Sequence, residues 1–119
     1  MAHRLLIIVA NAAPDDPLSL NAPFAQAAAA AAMEYDVEIV LSGRAETLAR
    51  LGVAERIVAD HGRTLYDVIK AIHSAGVTFK VCPAPNGPPA SLIPEVAETV
   101  GGAYIVSEVM DEDTATLTY

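Results

Sequence analysis

An unbroken apolar stretch near the start, Leu5-Leu6-Ile7-Ile8-Val9-Ala10, limits the folds open to this chain more than any other feature. A strand with one wet face is polar at every second residue. A strand without that alternation is buried on both faces, as in parallel sheets covered by helices. With Met1-Ala2-His3-Arg4 before it and Ala10, Ala12 and Ala13 at its end, the stretch has the outline of a signal peptide. Its apolar run is at the short limit for one, and Asn11 and Pro14 bound it as they would a strand. No stretch is long enough to span a membrane.

Parallel strands need crossovers, and the sequence places helix signals between its other strand signals. The alanine-rich run from Ala22 to about Met33 predicts a helix with Asn21 as its cap and Pro23 in its first turn. Asp36-Val37-Glu38-Ile39-Val40-Leu41 predicts a second strand, ended by Ser42-Gly43-Arg44. A helix is expected from Ala45 to Leu51, capped by Gly52, with another short turn between Val53 and Asp60. Thr64 caps a helix over 65–75, where Leu65, Val68, Ile69 and Ile72 mark one buried face, and Gly76 ends it. Val77, Phe79 and Val81 alternate with Thr78, Lys80 and Cys82, so a third strand ends at Cys82. Residues 91–100 read as a short turn of helix and then a brief strand near Glu98 to Val100. Thr114–Tyr119 reads as a final strand, which makes Ala103 to about Met110 the helix that crosses over to it. The order predicts one α/β domain over residues 1–119, with a small, mainly parallel, doubly wound sheet and right-handed crossovers.

Charge narrows the partners. Seven basic against fifteen acidic residues give 7 − 15 = −8, a field that repels nucleic acid and anionic membrane surfaces. With 53% apolar and only 18% charged residues, part of the surface is expected to be covered by other subunits. No glycine lies between Leu5 and Ser42, and Asp15 and Asp16 would repel a phosphate, which argues against a nucleotide or flavin on the first strand–helix loop. No cofactor is expected. His3, His61 and His73 lack metal-ligand spacing, so no metal is expected either. Ser42 lacks the G-x-S-x-G context of a hydrolase nucleophile. Asp15-Asp16 and Asp111-Glu112-Asp113 read as solvated. A receiver domain would need an acid at the end of the third strand, where this chain has Cys82.

Cys82 is the single cysteine, which rules out an internal disulfide and fits a reducing cytoplasm. Free cysteine is often an inert, buried hydrophobe. Here, however, the thiol stands where a strand gives way to Pro83, Pro85, Pro88 and Pro89, and ligands of open α/β sheets gather beyond the carboxyl ends of strands. The ends of the first three strands would bring Asn11 and Ser42-Gly43-Arg44 toward it. Arg44 is the candidate charge to favour a thiolate, set against the plainer role of a solvated first-turn residue. Backbone amides between Pro83 and Gly87, including Asn86, could cradle an anionic persulfide.

At these residues the chain resembles the DsrE/DsrF-like family of small sulfur-transfer proteins. The resemblance rests on Leu5-Leu6-Ile7-Ile8-Val9, on Ser42-Gly43, on the run from Gly76-Val77 to Lys80-Val81-Cys82, and on Gly101-Gly102-Ala103 ahead of the last helix. It implies a three-layer α/β/α fold, homo-oligomers that are often trimers or hexamers, and a cysteine that carries sulfur as a persulfide. Implied partners are TusA-like carriers, rhodaneses and sulfur-oxidising or thiolation machinery. The chain departs from some relatives in its proline-rich loop and in having no second cysteine. The leading expectation is a cytoplasmic sulfur carrier or sulfurtransferase acting through Cys82. Its rivals are a non-catalytic oligomeric interaction subunit with a structural Cys82, and a small-molecule binding module at the carboxyl edge of the sheet.

Overall fold

The computed structural model describes residues 3–59, 62–83 and 91–119. The unalternating stretch forms β1 (Arg4–Val9), and both its neighbours, β2 (Asp36–Leu41) and β5 (Thr114–Thr118), run parallel to it. β3 (Thr78–Val81) and β4 (Val96–Thr99) extend the sheet, giving the order β4-β3-β2-β1-β5 with every pairing parallel. The central strand is therefore the most apolar one, as expected where both faces are covered.

The two faces are built differently. Ile7, Ile39, Phe79 and their same-face neighbours meet Phe24 and Ala27 of α1 (Asn21–Ala32) and Leu65, Ile69 and Ile72 of α2 (Leu65–Ser74), all buried in one cluster. The Phe24 and Phe79 rings stack with centroids 6.4 Å apart. The opposite face meets the shorter α3 (Gly102–Val109), which has no fully buried residue. Helices on both faces make three layers, and the parallel α/β architecture is as expected.

Local boundaries moved where tertiary contacts outweighed local signals. Asn21 does not cap α1, because the 3-10 turn Pro17–Leu20 leads directly into the helix. Asn21 is already helical, and its backbone N–H donates to Leu18 O. Residues 43–49 form a 3-10 helix, and Gly52 does not cap it. The helix stops at Arg50, whose backbone bridges Leu92 while Leu51 N–H donates to Ser91 O and Ile93 N–H to Ala49 O. The same bridges hold residues 91–93 extended where a helical turn was expected, and β4 begins at Val96, before the expected Glu98. β3 ends at Val81, yet Cys82 N–H still donates to Leu41 O at 2.9 Å, which carries the ladder one residue further.

Thr64 caps α2 as predicted. Its hydroxyl accepts from Asp67 N–H, and the Asp67 carboxylate accepts from Thr64 N–H, each at 3.1 Å. The backbone bond from Thr64, followed by its hydroxyl, holds the Asp67 carboxyl below the usual aspartate range. That contribution is therefore present above the ordinary aspartate pKa and is lost as pH falls through the lowered folded value. Thr64→Ala is expected to cost about 1 kcal/mol in a urea melt at neutral pH; no loss would mean that the cap does not hold this helix.

Candidate functional site

The carboxyl ends of β1, β2 and β3 lie along one edge. Ser42 N–H donates to Val9 O at 2.9 Å, and Arg44 N–H to Ala10 O at 2.9 Å. With Leu41 paired to Val81, Ser42 and Cys82 each follow one residue beyond paired positions of adjacent strands. On the far side of Cys82, Val100 N–H donates to Val81 O at 2.8 Å, so Val100 and Gly101 flank it at the end of β4. The thiol is free and half-buried, and Pro83 beside it is also half-buried.

The connections on either side of Cys82 diverge. Beyond β3 the chain returns at Ser91–Ile93 against the 3-10 helix Gly43–Ala49, on the face of α1 and α2. Beyond β4 it enters α3 on the other face, where Tyr104 reaches Glu38 and Lys80. In open α/β sheets the usual ligand position is beyond the carboxyl ends of the strands, where the connections change face. Cys82 stands at that divergence, and α3 begins beside it.

The other expected site residues divide into groups. Asn11 and Arg44 meet: the guanidinium donates to Asn11 O at 3.4 Å and pairs with Asp15 at 3.1 Å, with the Arg44 side chain 61% exposed. Its charge is thus engaged by the β1 loop. Gly43 has φ +50, and a Cβ there would lie 2.8 Å from Ala10 O. Its bare backbone lets the loop after β2 close onto β1. Gly43→Ala must place a side chain in the left-handed region and push that carbonyl away, so a loss of about 2 kcal/mol is expected in denaturant unfolding. A loss under about 0.5 kcal/mol would contradict the close approach. Asn86 lies outside the described residues, as does His61.

Sequence reasoning missed a charge cluster on the α3 face. Glu38 is 4% exposed in the middle of the sheet. Its carboxylate accepts from Tyr104 Oη at 2.8 Å and pairs with Lys80 Nζ at 2.9 Å and Arg4 Nη2 at 3.3 Å. Lys80 also pairs with Glu98 at 3.1 Å, and Arg4 with Glu108. Burial alone would lower the Lys80 pKa, but hydrogen bonding with Tyr104, Glu38 and Glu98 outweighs it and holds the ammonium above the usual lysine range. Burial raises the Tyr104 phenol, and Glu38 raises it further against the opposing effect of Lys80. The signal was present in the sequence, since alternation sets Lys80 opposite the buried Phe79 and Val81, on the side of Cys82.

Two apolar grooves lie away from the thiol. One, of about 470 Å³, runs between α1 and α2 past Phe24, Ala28, Val68 and Ile72. The other, of about 440 Å³, lies between the end of α1 and β5, against Leu5, Met33, Tyr35 and Ala115. Among the described residues no helix is long and apolar enough to cross a membrane.

With this geometry the chain is similar to a solved structure, the crystal structure of the ychN protein from E. coli. The TM-score is 0.70 at 22% identity, over 98% of this chain and 99% of that one. The two share a fold. No family model matches the chain, and no curated protein matches it.

Proposed function

We propose that this protein is a sulfur carrier of the DsrE/DsrF-like kind, with Cys82 holding sulfane sulfur as a persulfide. The observation that carries the reading is the position of the chain's one cysteine, a residue of intermediate burial at the carboxyl edge of the sheet, between the ends of β2 and β4. The Cys82 thiolate attacks the outer sulfur of a donor persulfide, forming a new S–S bond as the donor's inner sulfur leaves as thiolate. An acceptor protein thiolate then attacks the outer sulfur, and Cys82 leaves as thiolate. The sulfur changes carrier without net oxidation, and no cofactor is needed. First-turn amides of α3 are groups available to bond an anionic sulfur. TusA-like carriers or rhodaneses, in a reducing cytoplasm, are the proposed exchange partners, and self-association into a trimer or hexamer is part of the same reading.

The test is intact-protein mass spectrometry after incubation with a persulfide donor, followed by an acceptor thiol. The expected result is gain of one sulfur atom and its loss to the acceptor. A thiol that alkylates only after unfolding, with no added sulfur, would leave the interaction-subunit reading in its place.

A further inference from the structure

β5 is one edge of the sheet, and its backbone shows which of its groups are open. Its odd-numbered positions, with Asp113 before and Tyr119 after it, turn toward β1. Arg4 N–H donates to Asp113 O at 3.1 Å, Tyr119 N–H to Ile8 O at 2.9 Å, and Ala10 N–H to Tyr119 O at 2.7 Å. In a parallel ladder alternate residues bond to opposite sides, so Thr114, Thr116 and Thr118 present their backbone groups outward. Thr114 N–H is taken by Asp111 O at 3.1 Å. The N–H groups of Thr116 and Thr118 and the three threonine carbonyls have no strand to pair with among the described residues.

The other edge is protected. β4 follows Pro94, carries Glu98, and has a register shift against β3 between Phe79 and Lys80. Proline, charge and irregular pairing are the usual devices that keep an edge from recruiting another strand. β5, Thr114-Ala115-Thr116-Leu117-Thr118, has no charge or proline, and its register with β1 is unbroken.

We propose that β5 pairs antiparallel with β5 of a second copy, about a two-fold axis beside Thr116, so that the two sheets become one. In that register the two Thr116 residues exchange N–H···O bonds, and each Thr118 N–H meets the other copy's Thr114 carbonyl. Every open donor finds an acceptor, with Thr114 N–H already used within its own chain. The side chains fit the same register. Ala115 faces the second copy's Leu117, small against large, beside the groove at Leu5 and Met33; Leu117 is 39% exposed in the single chain. The proposal rests on the self-association just proposed, in its hexameric form because a trimer has no two-fold axis, but not on the sulfur chemistry.

Light scattering on the purified full chain and amide exchange test it together. The wild type is expected to run as an even multiple of its 12.4 kDa mass, with Thr116 and Thr118 amides protected although neither has an acceptor among the described residues. Thr116→Pro removes an outward N–H and leaves the β1–β5 ladder intact; it is expected to weaken association by about thirtyfold or more. Leu117→Lys, which places a charge at the pairing line, is expected to do the same and carries the test if the proline variant does not fold. A wild type that stays a single chain at about 100 μM overturns self-association and this surface together. Assembly retained in full by the folded variants, or rapid exchange of both amides in the wild type, overturns this surface alone.

Discussion

Cys82→Ser is expected to abolish sulfur uptake, with no added sulfur detectable by mass spectrometry under conditions that load the wild type fully. The size of the effect follows from composition as much as position. The chain has one cysteine, so no second thiol can take over the attack, and the thioethers of its three methionines cannot form a persulfide. A serine hydroxyl is a far poorer nucleophile toward sulfur than a thiolate. The fold should be nearly untouched, because residue 82 is only half-buried and contributes its backbone N–H, unchanged in serine, to the ladder. A stability loss under about 1 kcal/mol, set beside total loss of uptake, separates chemistry from packing. If the serine variant gains sulfur as the wild type does, the sulfur resides elsewhere and the carrier reading fails.

Lys80→Met should cost about 3 kcal/mol in chemical denaturation, the largest stability effect expected of any change on the α3 face. The side chain is 13% exposed, and its ammonium is the nearest cation to Glu38, whose own side chain is 5% exposed. Removing it leaves a buried carboxylate with the Tyr104 hydroxyl and a longer contact to Arg4. The double variant Lys80→Met, Glu38→Leu is expected to recover most of the loss, since an apolar pair of similar volume can replace a buried ion pair. Glu98→Ala, at a side chain 58% exposed, should change little. Because the folded Lys80 pKa is raised, its contribution is complete below the ordinary lysine pKa and is lost only as pH rises through the raised value. The single-variant loss should thus be the same from weakly acidic to neutral pH. A loss under about 1 kcal/mol would mean that water already serves Glu38 in the native state.

Much of the scaffold was legible because burial in a parallel sheet writes itself into short segments. β1 announced itself by lacking alternation, α2 by its apolar face and its Thr64 cap, and the crossover into β5 by the need for a helix over about 103–110, found at 102–109. What escaped was decided between distant segments. Nothing local to residues 43–52 says that Ser91 and Ile93 will take the backbone groups at Ala49 and Leu51 and halt the helix at Arg50. The site divides in the same way. The thiol at a strand end could be read directly, and Gly43 could be named, but the collision that makes it glycine involves the carbonyl of Ala10, just beyond β1. Lys80 and Glu38 were visible as polar residues within strands; that they meet depends on the β2–β3 register.

The unequal covering of the sheet has a kinetic consequence. The α1 and α2 side is locked by interdigitated apolar side chains, so it can come apart only with the whole molecule, whereas α3 is fastened by a few polar clasps through Tyr104 and Glu108. Elements held with little buried surface open in small, independent excursions far below the free energy of global unfolding. The layer next to the Cys82 thiol is therefore the one that can lift while the rest of the scaffold stays shut.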